Sequence, residues 1–139
     1  MTARRAFLGW LGAAPLATQI PLAQAAPASA SVTGKGHVRV QDAAVSLQFD
    51  EQLRCRVVSL LGKQPVALTG FDTSEHLVVG GKPLGRFTLQ KAEPAPARTP
   101  FGAGQALHLV GRSAEGIEKH VTVTLLDEHP GVAFWTCAT

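Results

Sequence analysis

The side chains able to do chemistry in this chain are five histidines, ten Asp and Glu residues and two cysteines. His37, His108 and His120 stand in alternating runs, at the parity opposite to the apolar residues. That placement reads as solvent-facing strand positions. A zinc site needs three or four ligands converging at about 2 Å. No His-x-His, His-x-x-x-His or Cys-x-x-Cys spacing occurs. Asp127-Glu128-His129 gathers three potential ligands, yet Pro130-Gly131 follows at once. Adjacent side chains on a turn diverge, so the cluster reads as a strand-ending turn. The expectation is no metal ligand and no cofactor.

Glycoside hydrolysis needs two carboxyl groups, about 5–10 Å apart across a cleft. Asp50-Glu51 and Asp127-Glu128 are adjacent pairs at turns, and nothing in the sequence places one pair opposite the other. Ser74-Glu75-His76 lies in an extended segment, where consecutive side chains point to opposite faces. Gly34-Lys35-Gly36 and Gly102-Ala103-Gly104 are not followed by a helical pattern. They lack the helix N-terminus that a phosphate needs and read as turns. There is no Gly-x-Ser-x-Gly motif. No catalytic residue is expected. Cys55 and Cys137 sit in apolar, strand-like runs. A disulfide is chemically permitted outside the cytoplasm, but spacing does not establish one. Two buried thiols are the favoured reading.

The elements that would position these groups are strands. Val38 and Val40, then Val45, Leu47 and Phe49, then Leu53, Cys55 and Val57 alternate with polar residues. Period two argues strands with one buried face, and Asp50-Glu51-Gln52 makes a hairpin connection between the second and third runs. Leu77-Val78-Val79 before Gly80-Gly81, then Phe87-Thr88-Leu89, Ala106 to Val110, Glu118 to Leu126 and Val132 to Ala138 complete the set. Residues 26–36 are small and polar and read as a flexible lead-in. Residues 92–100 carry three prolines and read as a surface loop, because proline cannot donate to a ladder. No helical face appears outside the first thirty residues. The fold class is therefore all-β, an antiparallel β-sandwich. The run Val132–Thr139 has no polar segment after it. Domains usually finish in one, so residues 31–139 are expected to form a sandwich that is incomplete at its C-terminus.

Residues 1–30 differ in kind. They hold Arg4 and Arg5, no acidic residue, an apolar stretch and two Ala-x-Ala endings, at Ala25 and Ala30. This is the layout of an export signal. Arg4-Arg5-Ala6-Phe7-Leu8 resembles the twin-arginine signal, in which Phe-Leu follows the arginine pair after one residue. Such signals are receptor-read addresses, so the expected location is the periplasm or the exterior. The stretch from Ala6 to Ile20 is broken by Gly9, Gly12 and Pro15. It falls short of the ~20 apolar residues a membrane span needs, and no stable membrane anchor is expected. The formal charge is +3. Without Arg4 and Arg5 it is +1, with the remaining basic residues scattered singly. That distribution excludes a nucleic-acid patch and a polybasic lipid-binding run.

The order of motifs carries a second resemblance. Ser74-Glu75-His76-Leu77-Val78-Val79-Gly80-Gly81-Lys82 precedes Phe87-Thr88-Leu89. Phe101-Gly102-Ala103-Gly104-Gln105 then leads into Leu107-His108-Leu109, and Gly116-Ile117-Glu118-Lys119 leads through Val121–Asp127 to Pro130-Gly131-Val132-Ala133. Over residues 38–139 this resembles the N-terminal β-supersandwich of α-galactosidase-like enzymes of glycoside hydrolase family 36 and its relatives. The resemblance implies a non-catalytic fragment of an exported glycoside hydrolase. The catalytic aspartates of such enzymes lie in a downstream barrel, and no position here corresponds to them. The expected partners are carbohydrate or that catalytic barrel. A free-standing periplasmic module that binds carbohydrate or a protein is the alternative, and a small metalloenzyme ranks last.

Overall fold

Alternation becomes strand wherever both sequence faces find a use. In the computed structural model, which describes residues 26–33 and 37–139, the chain runs β1 (Ser29–Val32), β2 (Val38–Gln41), β3 (Val45–Phe49), β4 (Cys55–Ser59), β5 (Val66–Ala67), β6 (Leu77–Val79), β7 (Lys82–Leu84), β8 (Thr88–Thr99), β9 (Gly102–Arg112), β10 (Glu118–Leu126) and β11 (Ala133–Ala138). The described residues contain no helix. The first sheet has the order β1-β2-β3-β4-β5, the second β11-β10-β9-β8, and β6-β7 is a separate hairpin. Every pairing is antiparallel. The protein is an all-β sandwich. The predicted signal residues Arg4, Arg5, Phe7, Leu8 and Ala25 lie outside the described residues. Ala30 lies in β1, opposite Val40.

The core forms where the two sheets face each other. Val38 and Val40 of β2, Leu47 and Phe49 of β3, Leu107 and Leu109 of β9, and Val121, Val123 and Leu125 of β10 are buried together. β1 and β2 lie against β8, β9 and β10. Phe49 meets Trp135 of β11 with ring centroids 5.6 Å apart. The sheets are thus offset. The inner face of β4, with Cys55 and Val57, opens onto a groove of about 400 Å³ closed only by residues 69–74 and Trp135.

Two expectations are corrected. The stretch read as a lead-in contains β1, which is pinned at its start by Ala28 N–H donating to Asp127 Oδ1 at 2.9 Å. Ala28 and Ala30 pack on the core. Small residues fit because β1 crosses the second sheet closely, and the strand straddles the 30/31 boundary drawn from sequence. The proline-rich stretch 92–100 is the body of β8, not a loop, paired with β9 from Thr88 to Thr99. The reason is position. β8 is the edge strand, and an edge strand donates to one neighbour only. Pro94 and Pro96 share one parity, so their missing N–H groups fall on one side, where an edge loses nothing. Gln90 is left unpaired by a register shift between Leu89 and Lys91, a bulge that re-aims the strand.

Two glycines answer specific demands. Gly80 and Gly81 both have positive φ, 57° and 78°, as a two-residue hairpin turn between β6 and β7 requires. Gly104 sits so close to β10 that a Cβ there would lie 2.0 Å from the Leu125 carbonyl oxygen.

Candidate functional site

The histidines singled out in the sequence stand apart. His37, His76, His108, His120 and His129 are all exposed. His108 Nδ1 lies 2.9 Å from Thr122 Oγ1 across the β9–β10 pair. His120 Nε2 lies 3.7 Å from Glu118. Among the described residues no three His, Cys, Asp or Glu side chains come together as a metal would need. The acidic pairs end different turns and are engaged there. Asp50 Oδ1 accepts the N–H groups of Gln52 and Arg54, and its Oδ2 pairs with the Arg54 guanidinium at 2.7 Å. Asp127 holds Ala28. Asp127-Glu128-His129 does diverge: Asp127 turns inward to β1 while the next two are exposed.

Ser74 and Glu75 depart from the expectation that neighbours point apart. The segment is irregular, and the Ser74 hydroxyl donates to the Glu75 carboxylate. Glu75 Oε2 in turn reaches Lys119 Nζ at 3.5 Å. Lys119 shares the parity of Val121 and is 1% exposed, with its ammonium 4.6 Å from the centre of the Phe87 ring. Parity alone places Lys119 indoors, a signal legible in the strand pattern, whereas its partner in an irregular segment is not. The two thiols are both free. Cys55 is buried, and burial, then the nearby Glu75, push its pKa up from 9.0 to about 12, with Asp50 adding less. Cys137 is exposed, which corrects the expectation of two buried thiols. It points inward with Val121, but among the described residues β11 is an edge strand that pairs only with β10. Desolvation and then Glu75 raise its pKa as well.

A cleft of about 440 Å³ lies on the outer face of the first sheet. Strand register builds it. Ser31, Arg39, Gln48 and Arg56 are consecutive partners across β1, β2, β3 and β4. The row is internally braced. Arg39 Nε donates to Ser31 Oγ at 3.1 Å. Arg56 donates to Gln48 Oε1 through Nε at 3.1 Å and Nη2 at 2.5 Å. The Arg56 guanidinium stacks over Phe71, 4.7 Å from the ring centre. His37 and Thr33 complete the wall. Sequence reading passed over this row because register across four strands is a tertiary fact; only the polar parity of each strand was visible.

A larger, shallower hollow of about 1140 Å³ lies at the end of the sandwich, between the β3–β4 turn, the start of β8 and the β9–β10 turn. Arg86 and Arg112 face it with Asp72 and Glu115. The Ser113 hydroxyl holds Glu115 below the usual carboxylate range. Mixed charges at a loop-lined end leave it without a defined chemistry. Phe49 and Phe87 are core residues, Trp135 packs against Phe49 and Phe71 lies under Arg56, whereas Phe101 and Phe134 stack on each other at the surface, 5.4 Å apart. No family model, no curated protein and no solved structure matches this chain.

Proposed function

We propose that this chain is the non-catalytic N-terminal β-sandwich of an exported α-galactosidase-like glycoside hydrolase. The observation that carries the reading is the edge at β11, which among the described residues pairs only with β10. The second sheet ends there, while the inner face of β4 on the opposite sheet opens into the groove beside Trp135. A strand added at β11, ~4.8 Å further out, would stand over β4 and fill that groove. A bare edge is a template for pairing, and a further strand of a larger sandwich is its simplest occupant. The engagement of Asp42, Asp50, Asp127 and Glu75 in structural contacts fits a non-catalytic role. The acid and base of glycoside cleavage then belong to a downstream barrel, this domain's partner.

Export rests on Arg4-Arg5-Ala6-Phe7-Leu8 and the apolar run after it. Reading the genomic DNA beyond the Thr139 codon tests the assignment. A β-rich continuation followed by a barrel with paired aspartates is expected, in frame or after one frameshift. Unrelated sequence behind a well-placed stop overturns it.

One observation favours the free-standing carbohydrate-binding module as a second reading. Phe101 and Phe134, 62% and 36% exposed, form a stacked apolar surface of the kind a sugar ring packs against. Retention of the protein on galactose-bearing resin, lost in Phe134→Ala, supports this reading. A soluble monomer that binds nothing on a glycan array counts against it.

A further inference from the structure

We propose that the cleft on the outer face of the first sheet binds an anionic oligosaccharide, with Arg39 and Arg56 as its two anion-pairing groups. The proposal rests on the carbohydrate reading above and adds the charge of the sugar and the residues that hold it.

The argument begins with donors and acceptors. Arg56 spends Nε and one Nη2 hydrogen on Gln48 Oε1, which leaves Nη1 and the rest of Nη2 to donate elsewhere. Arg39 spends only Nε, on Ser31, and keeps both Nη groups. Gln48 has committed its carbonyl oxygen to Arg56, so its amide NH₂ remains, a donor. Apart from the Ser31 hydroxyl, which can still donate or accept, every uncommitted side-chain group on this rung is therefore a donor. The carboxylate beside it, Asp50, offers nothing in return. Its oxygens take the Gln52 and Arg54 N–H groups and the Arg54 guanidinium. Among the described residues neither Arg39 nor Arg56 has a carboxylate within ion-pair distance. Two uncompensated guanidiniums thus face one cleft, and one of them is already immobilised by Gln48 and Phe71. Stacked, braced arginine loses less freedom on binding than a free one.

Geometry sets the ligand's form. Arg39 and Arg56 lie on β2 and β4, two strand spacings apart, which is about 9–10 Å. Arg39 is braced toward β1 by Ser31 and Arg56 toward β3 by Gln48, so the two guanidiniums lean the same way and keep that separation, which suits the repeated acidic groups of an oligomer. The row crosses the face of the sheet: Arg39, Gln48 and Arg56 stand on β2, β3 and β4, and only Ser31 stands on the edge strand β1. An extended acidic peptide binds sheets chiefly through backbone groups along an edge, whereas these side chains project from the face of the sheet. Recognition must come from side chains meeting hydroxyl and acidic groups, which is what a charged oligosaccharide presents. Carboxylate and sulfate groups both suit guanidinium pairs.

The test is calorimetric titration of the full chain at low salt with three oligosaccharides of equal length: oligogalacturonate, sulfated oligogalactan and neutral oligogalactan. The expected result is binding of at least one acidic oligosaccharide, and the better of the two identifies uronate or sulfate as the anion. Its affinity falls with added NaCl, and Arg39→Gln and Arg56→Gln each weaken it about tenfold or more, as the loss of one charge-assisted bond predicts. Arg39 is exposed, so Arg39→Gln keeps the test valid if Arg56→Gln disturbs the sheet. The Gln48 side-chain amide should shift in NMR spectra on titration. The proposal is overturned if neither acidic oligosaccharide binds at about 1 mM, if the neutral one binds equally, if Arg39→Gln changes nothing, or if oligoglutamate binds as tightly. The carbohydrate reading itself is tested at Phe134 on galactose-bearing resin, so retention there without binding of either acidic oligosaccharide overturns this proposal alone.

Discussion

The Asp42 carboxylate is 4% exposed and fully used. Oδ1 accepts the N–H groups of Ala44 and Val45 at 2.7 and 2.8 Å, and Oδ2 accepts that of Gly131 at 2.7 Å. One side chain so shapes the β2–β3 turn and ties it to the β10–β11 turn. Asp42→Ala orphans three donors and should cost about 2–4 kcal/mol in urea unfolding. Asp42→Asn, which keeps one accepting oxygen, should lose less. The Lys119–Glu75 pair behaves differently. Lys119→Met leaves Glu75 largely buried without its cation, and breaking such a pair costs about 3–5 kcal/mol. Adding Glu75→Leu to Lys119→Met should recover most of that loss, which a double-mutant cycle measures. Cys55 adds a pH dependence. Its folded pKa, about 12, lies above the ordinary 9.0, so the unfolded chain releases this proton first. The stabilising contribution is complete below about pH 9 and disappears as pH rises toward about 12. Urea midpoints across that window should fall less steeply for Cys55→Val than for the parent.

At the scale of elements, seven of the strands were legible because they alternate or form short apolar runs bounded by turns, β2, β3 and β10 most plainly. The others were not, and for different reasons. β1 is built of Ser and Ala with a single Val, so no alternation announces it; contact with the second sheet makes it a strand. β5 has two residues and follows an irregular connection. β8 was hidden by its prolines, which only an edge position tolerates. The cleft was less legible than the fold: each of Arg39, Gln48 and Arg56 looked like an ordinary outward residue until register aligned them. Register also explains Gly104, whose absent side chain lets β9 and β10 meet. Gly104→Ala must push the Leu125 backbone aside, since no flexible side chain can yield. It should cost about 1–3 kcal/mol, read as a lowered melting temperature with little change in circular dichroism.

For the whole molecule, β1 bears on the proposed export signal, which offers two Ala-x-Ala endings for cleavage. Cleavage after Ala30 would cut through β1, release Ala28 from Asp127 and uncover part of the core. Cleavage after Ala25 leaves the strand intact. N-terminal sequencing of the exported protein should therefore begin at Ala26, and a start at Ser31 would contradict this. The offset between the sheets has a similar reach, because it decides which half of the first sheet is covered by the chain itself and which half is left to something else.

The two edges of the second sheet are unlike. Among the described residues β11 pairs only with β10, while β8 lacks N–H groups at Pro94 and Pro96. Endless filaments need a heterologous contact, one molecule's trailing edge joining the next one's leading edge. Here the would-be acceptor edge is missing donors where such a bond would form. Growth through this sheet is a one-step event with a terminus built in: β11 can take on one neighbour, and the prolines on the far side prevent that neighbour's arrival from seeding a chain reaction.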